Sequence, residues 1–277
     1  MQATVTLTSG WLRALVRFPL IVLLLLAGLF IAKTVIPWSG FATPAGGREV
    51  RNRCVRTWCR LTSRILNLQI HRVGKPDAQS QLWVANHISW IDILALATEH
   101  DLVFIAKHEI STWPLLGSIF KGIGTLFIRR GDREATLRMS QCMKASLEEG
   151  ISLMLFPEAT TTDGKEVRRF ASKLFEPAVE VQSQIQPIAL RYLGQSEDIA
   201  PFIGEDTFLA HLTRVLTLKE IQLMISYGDP LHPQSRSKEQ LARSLRHSVI
   251  DLLNQERPLH PSGLLQNRHN PFIPLSH

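Results

Sequence analysis

Short apolar runs alternate with longer stretches of helical periodicity along most of the chain. Seven of the runs are short, branched and apolar, which is typical of buried strands; they are 68–73, 82–85, 102–106, 125–128, 152–156, 185–192 and 221–227. Helix-like stretches accompany them, such as 89–97, 133–149 and 237–255. This alternation predicts an α/β fold class, with a central mixed sheet flanked by helices.

The N-terminal segment has a different pattern. Residues 18–32 form a charge-free and almost entirely apolar run, with Trp11 and Trp38 on either side. The 27 residue steps between the tryptophans, at about 1.5 Å each, cover roughly 40 Å, the thickness of a bilayer with its interfaces. Aromatic rings at both ends are typical of a membrane-interface belt. We therefore expect residues 1–40 to form an N-terminal membrane-anchoring helix.

A cleaved signal peptide is the alternative explanation of this segment. The apolar run is long for a signal peptide, Lys33 interrupts its end, and residues 43–46 are a poor cleavage site. A membrane anchor is therefore favoured. The pattern leaves open whether the anchor spans the bilayer or enters it and returns near Pro37.

The basic charge is concentrated near the same end. The formal net charge is +7 over 277 residues, and residues 1–75 hold eleven lysines and arginines but one acid, Glu49. A nucleic-acid partner is not expected, because such proteins place their basic charge on the folded domain. Residues 44–67 combine arginines with apolar positions, as a basic amphipathic helix resting on membrane lipids does. The arginines around the anchor favour a folded domain on the cytoplasmic side, and we expect the membrane to be a bacterial inner membrane.

These patterns divide the chain into four parts. We predict an anchor at 1–40, a basic membrane-proximal helix at 44–67, a folded domain at 68–256 and an irregular tail at 257–277. Three cysteines are too few and too scattered for a disulfide framework, which favours a reducing compartment.

A histidine and an aspartate lie where the second predicted strand gives way to a helix. If Ser89 caps that helix, Asp92 lies one turn in and can hold one ring nitrogen of His87. The other nitrogen is then a base near neutral pH. A Gly-x-Ser-x-Gly nucleophile motif is absent from the sequence, so a serine hydrolase is disfavoured. No metal-ligand spacing is present either, and we expect no metal site.

Three further blocks follow in order: Gly124–Arg130, Phe156–Gly164 and the proline-containing strand around Pro187. Together with the histidine–aspartate block, they resemble the glycerolipid acyltransferase family, typified by 1-acylglycerol-3-phosphate acyltransferase. The resemblance covers about residues 65–230, and the first and third blocks carry most of its specificity.

The resemblance implies a reaction and a set of site residues. His87 resembles the family's general base and Asp92 its orienting partner, so an acceptor hydroxyl attacks the thioester of acyl-CoA or acyl-carrier protein directly. The expected substrate-binding residues are Arg130, Glu158, Ala159, Thr160, Thr161 and Pro187. No cofactor is expected beyond the acyl donor, because a thioester is already activated. Membrane lipids and the acyl donor are the implied partners.

The third block departs from the family pattern, which reads Phe-Pro-Glu-Gly-Thr-Arg. Ala159 replaces the glycine, and Thr161 replaces the arginine, which removes one phosphate donor. The family's usual acceptor, 1-acylglycerol-3-phosphate, is still our expected acceptor, and lyso-ornithine lipid or another lysophospholipid is the alternative. A membrane-anchored thioesterase and a non-catalytic membrane-binding protein are alternatives from other functional classes.

Overall fold

The computed structural model describes residues 2–40, 44–129, 132–234 and 236–255. Its N-terminal part is helical, with α1 (Gln2–Phe30), a π-helical turn (Ile31–Val35), α2 (Ile36–Gly40) and α3 (Pro44–Leu66). The later helices are α4 (Trp90–Ala97), α5 (Leu116–Gly122), α6 (Arg133–Glu148), α7 (Glu176–Glu180), α8 (Ser196–Ile199), α9 (Phe208–Leu216) and α10 (Lys238–Gln255). Two 3-10 turns cover His108–Thr112 and Ser172–Phe175.

The described residues also form a sheet of seven strands. They are β1 (Leu68–Val73), β2 (Leu82–Ala85), β3 (Val103–Lys107), β4 (Leu126–Ile128), β5 (Leu153–Leu155), β6 (Ile185–Leu193) and β7 (Ile221–Tyr227). The spatial order is β1-β7-β6-β2-β5-β3-β4, and the pairs are parallel except for antiparallel β6 and β7. The predicted mixed sheet is confirmed, and each predicted strand lies within one residue of its observed bounds at either end.

Helices cover both faces of the sheet, which explains the unbroken apolar character of its central strand β2. Trp83 and Ala85 point into a core shared with α1, α3, α4 and α9. Leu82 and Val84 point into a second core shared with α6, α7 and α10. Successive side chains of a strand alternate between faces, so four consecutive apolar residues fill both cores.

Helix α1 packs on the domain along most of its length. Near its start, Arg13 Nε donates to the Thr217 carbonyl at 3.1 Å, and Arg17 donates to three carbonyls at the end of α9. Further along, Trp58 Nε1 of α3 donates to the Leu24 carbonyl at 2.7 Å. After α1, Ala32 of the π-helical turn lies against Gly122 of α5, where an added Cβ would lie 2.6 Å from that of Ala32.

The outer face of α1 is apolar as well. Its exposed side chains include Trp11, Leu12, Leu15, Val16, Leu20, Leu23, Leu26 and Phe30. The segment Ser9–Ser39 is long and apolar enough to cross a membrane, by length and composition. A helix that is hydrophobic all round needs an apolar environment on both sides. The domain core therefore covers the inner face of α1, and the apolar outer face stays exposed.

The predicted basic helix coincides with α3. Arg56 forms an ion pair with Asp101, and Arg60 Nε donates to the Thr98 carbonyl at 3.0 Å, so part of its basic face is tied to the domain. The domain boundaries drawn from the sequence stay predictions. The predicted irregular tail, 257–277, lies outside the described residues.

Candidate active site

The histidine and aspartate meet at the junction between β2 and α4. As predicted, Ser89 is the N-cap residue and α4 begins at Trp90. The Asp92 carboxylate turns back to accept the backbone N–H groups of Ile88 and Ser89 at 2.8 and 2.9 Å. Because a helix N-terminus carries partial positive charge, it favours an ionised carboxylate there. Asp92 lies in the first turn of α4, where these two backbone N–H groups can reach its carboxylate.

The same carboxylate fixes the orientation of the histidine. His87 Nδ1 lies 2.9 Å from Asp92 Oδ2, and Asp92 is fully buried. An ionised carboxylate can only accept, so Nδ1 carries the proton of the neutral ring and Nε2 holds the lone pair. The described residues show no hydrogen bond to Nε2. The ring also stacks on Phe156, with centroids 4.0 Å apart and planes at 15°.

A large apolar cavity begins at this histidine. Its volume is about 570 Å³, within the range of small-molecule sites. His87, Trp90 and the loop after β5 line it on one side, and helices α1 and α3 contribute Leu24, Leu25 and Trp58 on the other. The His87 side chain therefore borders a space suited to a hydrocarbon chain.

Glu158 binds the loop that carries the histidine. Its Oε1 accepts the His87 backbone N–H at 2.9 Å, and its Oε2 accepts the Arg168 N–H at 2.8 Å. Burial raises the pKa of the Glu158 carboxyl, and these two N–H donors act against the rise. Both oxygens are thus engaged by backbone, and the residue joins the first and third sequence blocks.

The rest of the third block wraps around the same loop. Thr162 N–H donates to the His87 carbonyl at 2.8 Å, and Thr161 Oγ1 donates to the Phe202 carbonyl. Ala159 has φ = +61°, in the left-handed region that favours glycine. This backbone conformation explains why the family pattern has glycine at the position of Ala159. Ala159, Thr160 and Thr161 all line the cavity.

Comparisons with known proteins agree with this geometry. The family model described as Acyltransferase matches residues 68–191. A Pseudomonas aeruginosa protein named lyso-ornithine lipid O-acyltransferase is 35% identical over 243 residues, covering 86% of this chain and 92% of that protein. This chain belongs to the acyltransferase family.

Other relatives and one solved structure extend the comparison. A 1-acyl-sn-glycerol-3-phosphate acyltransferase of Neisseria meningitidis is 29% identical, covering 74% of this chain and 84% of that protein. The crystal structure of the 1-acyl-sn-glycerophosphate acyltransferase PlsC from Thermotoga maritima has the same fold, with a TM-score of 0.60 and 20% identity. It covers 86% of this chain and 97% of that one. The chain is accordingly an acyltransferase that acts on lysolipids, in a membrane-associated family.

Two of the predicted binding residues cannot be assigned to the cavity, one because it is outside the described residues and one because it lies inside the sheet. Arg130 lies outside the described residues. Pro187 pairs with Val84 inside the sheet and accepts the Gly228 N–H at 3.0 Å, and it is not among the described residues that line the cavity. A proline is tolerated there because the antiparallel β6–β7 ladder starts one residue later, at Ile188. Their substrate contacts stay predictions, as does an acceptor contact of Glu158.

Two residues that support the His87–Asp92 pair were not predicted from the sequence: Asn86 directly after β2 and Tyr192 on β6. Asn86 makes two hydrogen bonds to the backbone of Leu190, at 2.8 and 2.9 Å, and so fixes the end of β2 beside β6. Tyr192 OH donates to Asp92 Oδ1 at 2.7 Å. An amide residue between an apolar strand and the histidine was the local signal for Asn86. Tyr192 gave none, because it is 100 residues from Asp92 in sequence.

Glu158→Gln should impair this acyltransferase through the backbone. The amide nitrogen must face the N–H of either His87 or Arg168, so one of the two hydrogen bonds that hold the loops together is lost and the His87 loop is less firmly held. We expect acyl transfer to fall about 10- to 100-fold and unfolding to become easier by about 1–3 kcal/mol. Labelled acyl transfer in membranes and thermal unfolding in detergent measure the two effects. Glu166→Gln, an exposed position of the same loop, is the control; equal rates for both variants contradict the prediction.

Proposed function

We propose that this acyltransferase uses His87 as the general base for ester formation on a lysolipid. Nε2 removes the proton of the acceptor hydroxyl as its oxygen attacks the thioester carbonyl. The carbon–sulfur bond then breaks, and the leaving thiolate takes the proton from Nε2, which restores the neutral histidine. Asp92 stabilises the imidazolium between the two proton transfers. The observation that carries the proposal is the His87–Asp92 pair opening on an apolar cavity.

The acyl donor in this proposal is acyl-CoA or acyl-carrier protein. Either thioester is already activated, so the chemistry needs an oriented base and a place for the chain rather than a further cofactor. Burying a methylene contributes about 0.8 kcal/mol, which makes an apolar cavity a strong binding site for an acyl chain. The walls from α1 and α3 supply that apolar surface beside the base.

For the acceptor, we propose lyso-ornithine lipid ahead of 1-acylglycerol-3-phosphate. Thr161 stands on the cavity wall where the family has an arginine, and its hydroxyl is engaged by the Phe202 carbonyl. That wall position thus offers an anionic phosphate no cation. The Pseudomonas relative named for lyso-ornithine lipid and a second one from Rhodobacter capsulatus are 35% and 34% identical. The Neisseria relatives support 1-acylglycerol-3-phosphate as the second candidate.

His87→Ala should abolish acyl transfer, because it removes the Nε2 lone pair that takes the proton of the acceptor hydroxyl in this mechanism. Loss of a general base lowers rates about 100-fold or more. The assay is labelled acyl transfer to lysolipid in isolated membranes, with membrane content of the protein measured beside it. His247→Ala, an exposed histidine of α10, is the matched control. Normal turnover in His87→Ala contradicts the mechanism, and thioester cleavage that ignores added lysolipid indicates a hydrolase instead.

Thr161→Arg should shift acceptor preference toward phosphate-bearing lysolipids. Lyso-ornithine lipid and 1-acylglycerol-3-phosphate are offered together with one donor, and the product ratio is measured. A charge-assisted hydrogen bond at this position should change the ratio about tenfold or more. Thr161→Ser, which keeps the hydroxyl, is the control. An unchanged ratio contradicts the role of Thr161, and a wild-type preference for 1-acylglycerol-3-phosphate contradicts the proposed acceptor.

We further propose that α1 lies in one leaflet of the bacterial inner membrane, with the domain on the cytoplasmic side. The helix is held to α9 by Arg13 and Arg17 and to α3 by Trp58, and Ala32 just beyond it packs on α5. A spanning orientation would carry these elements into the hydrocarbon or require α1 to detach. If α1 instead lies parallel to the membrane surface, its outer apolar face can enter the lipid while the helix stays packed on the domain.

This arrangement predicts that both ends of the protein are on one side of the membrane. Epitope tags at the N- and C-termini should both resist protease added to intact spheroplasts, and both should be digested after lysis. A periplasmic marker that is digested before lysis is the control. Digestion of the N-terminal tag alone in intact spheroplasts would show that α1 crosses the bilayer.

A further inference from the structure

Tyr192 is a fully buried polar residue that the proposed mechanism has not used. It lies near the end of β6, and its hydroxyl donates to Asp92 Oδ1 at 2.7 Å. The other carboxylate oxygen, Oδ2, receives His87 Nδ1 and two backbone N–H groups. Tyr192 is not among the described residues that line the cavity. Its hydroxyl therefore acts on the reaction through Asp92 rather than on the substrate.

We infer that Tyr192 is a positioning residue for acyl transfer, holding the Asp92 carboxylate so that Oδ2 faces His87. The inference rests on the proposed function of His87. A carboxylate bound at one oxygen can turn about its side-chain torsion, whereas donors on both oxygens fix its plane. The hydrogen bond from β6 supplies the second fixed point, because the other donors all reach Oδ2 from the β2–α4 junction.

The hydroxyl also modulates the charge that Asp92 presents to the histidine. Burial, together with the Asp92 charge, raises the pKa of the Tyr192 phenol well above its ordinary value, so the group is always a donor. A donor on Oδ1 draws charge away from Oδ2. Removing it leaves more negative charge facing the imidazolium, which favours protonated His87.

Among the residues that the structure describes, few titratable groups face the histidine. Asp92 approaches from α4, and Glu158 approaches from the loop after β5 with Arg168 beside it. Tyr192 reaches the histidine only through Asp92. A change confined to Tyr192 leaves Glu158 and Arg168 in place, so a shift in pH dependence reports on the Tyr192–Asp92 contact.

The chain offers a matched control, because it contains two tyrosines. Tyr227 lies on the neighbouring strand β7, is also buried, and has its hydroxyl 3.0 Å from His100 Nε2. Tyr227→Phe thus removes a buried tyrosine hydroxyl of the same sheet without touching Asp92.

The test compares Tyr192→Phe with Tyr227→Phe in full-length protein in membranes. We expect Tyr192→Phe to lower kcat about 10- to 100-fold with KM for the lysolipid and donor changed by less than about twofold. We also expect the midpoint of the acidic limb of kcat/KM to move up by about 0.5 pH unit or more. Tyr227→Phe should keep the wild-type kcat and pH profile.

A second variant covers the case in which Tyr192→Phe does not fold. Growth of the Tyr227→Phe protein on 3-fluorotyrosine labels Tyr192 alone and keeps its packing. The fluorine makes the phenol a stronger donor, so the acidic limb should move to lower pH than with ordinary tyrosine. An acidic limb that stays in place in the fluorinated protein, or in a folded Tyr192→Phe with normal kcat, overturns the inference.

The outcomes separate this inference from the proposed function. Normal turnover in His87→Ala refutes the general-base proposal, and the Tyr192 inference falls with it. An inactive His87→Ala beside a Tyr192→Phe protein with wild-type kcat and pH profile refutes the role of Tyr192 alone.

Discussion

The active site depends on one buried carboxylate that must be fully satisfied. A buried charge without partners costs several kcal/mol, and Asp92 avoids that cost with donors on both oxygens. Those donors come from the end of β2, the start of α4 and the end of β6. Strand order, helix start and histidine orientation are therefore coupled through a single side chain. The two hydrogen bonds between the Asn86 side chain and the Leu190 backbone also hold the end of β2 beside β6.

A second constraint is the apolar helix at the N-terminus. Helix α1 helps to wall the cavity beside His87 and presents an apolar outer face. One element thus contributes to the cavity wall and also presents an apolar face to the outside of the domain. This arrangement suits a reaction whose substrates are lipids, since a chain can pass from the bilayer to the cavity with little exposure to water.

The third sequence block has a structural purpose beyond substrate contact. Glu158 and Thr162 both bind the backbone of His87, one at its N–H and one at its carbonyl. Thr161 and Ala159 then place the loop on the cavity wall, with Ala159 in a left-handed conformation. The block therefore holds the backbone of His87 and forms part of the cavity wall at the same time. A substitution within it can alter rate and specificity together.

The sequence by itself predicted the seven strands, and it offered Ser89 as the helix cap that would bring Asp92 within reach of His87. These features depend on periodicity and capping within one or two turns of chain, which a linear pattern displays. Only the tertiary structure decided that Glu158 holds backbone N–H groups, that Pro187 lies inside the sheet, that α1 packs along the domain and that Tyr192 supports Asp92. Each of these contacts joins segments far apart in sequence. Sheet order and helix docking bring such segments together, and residue spacing carries no record of either.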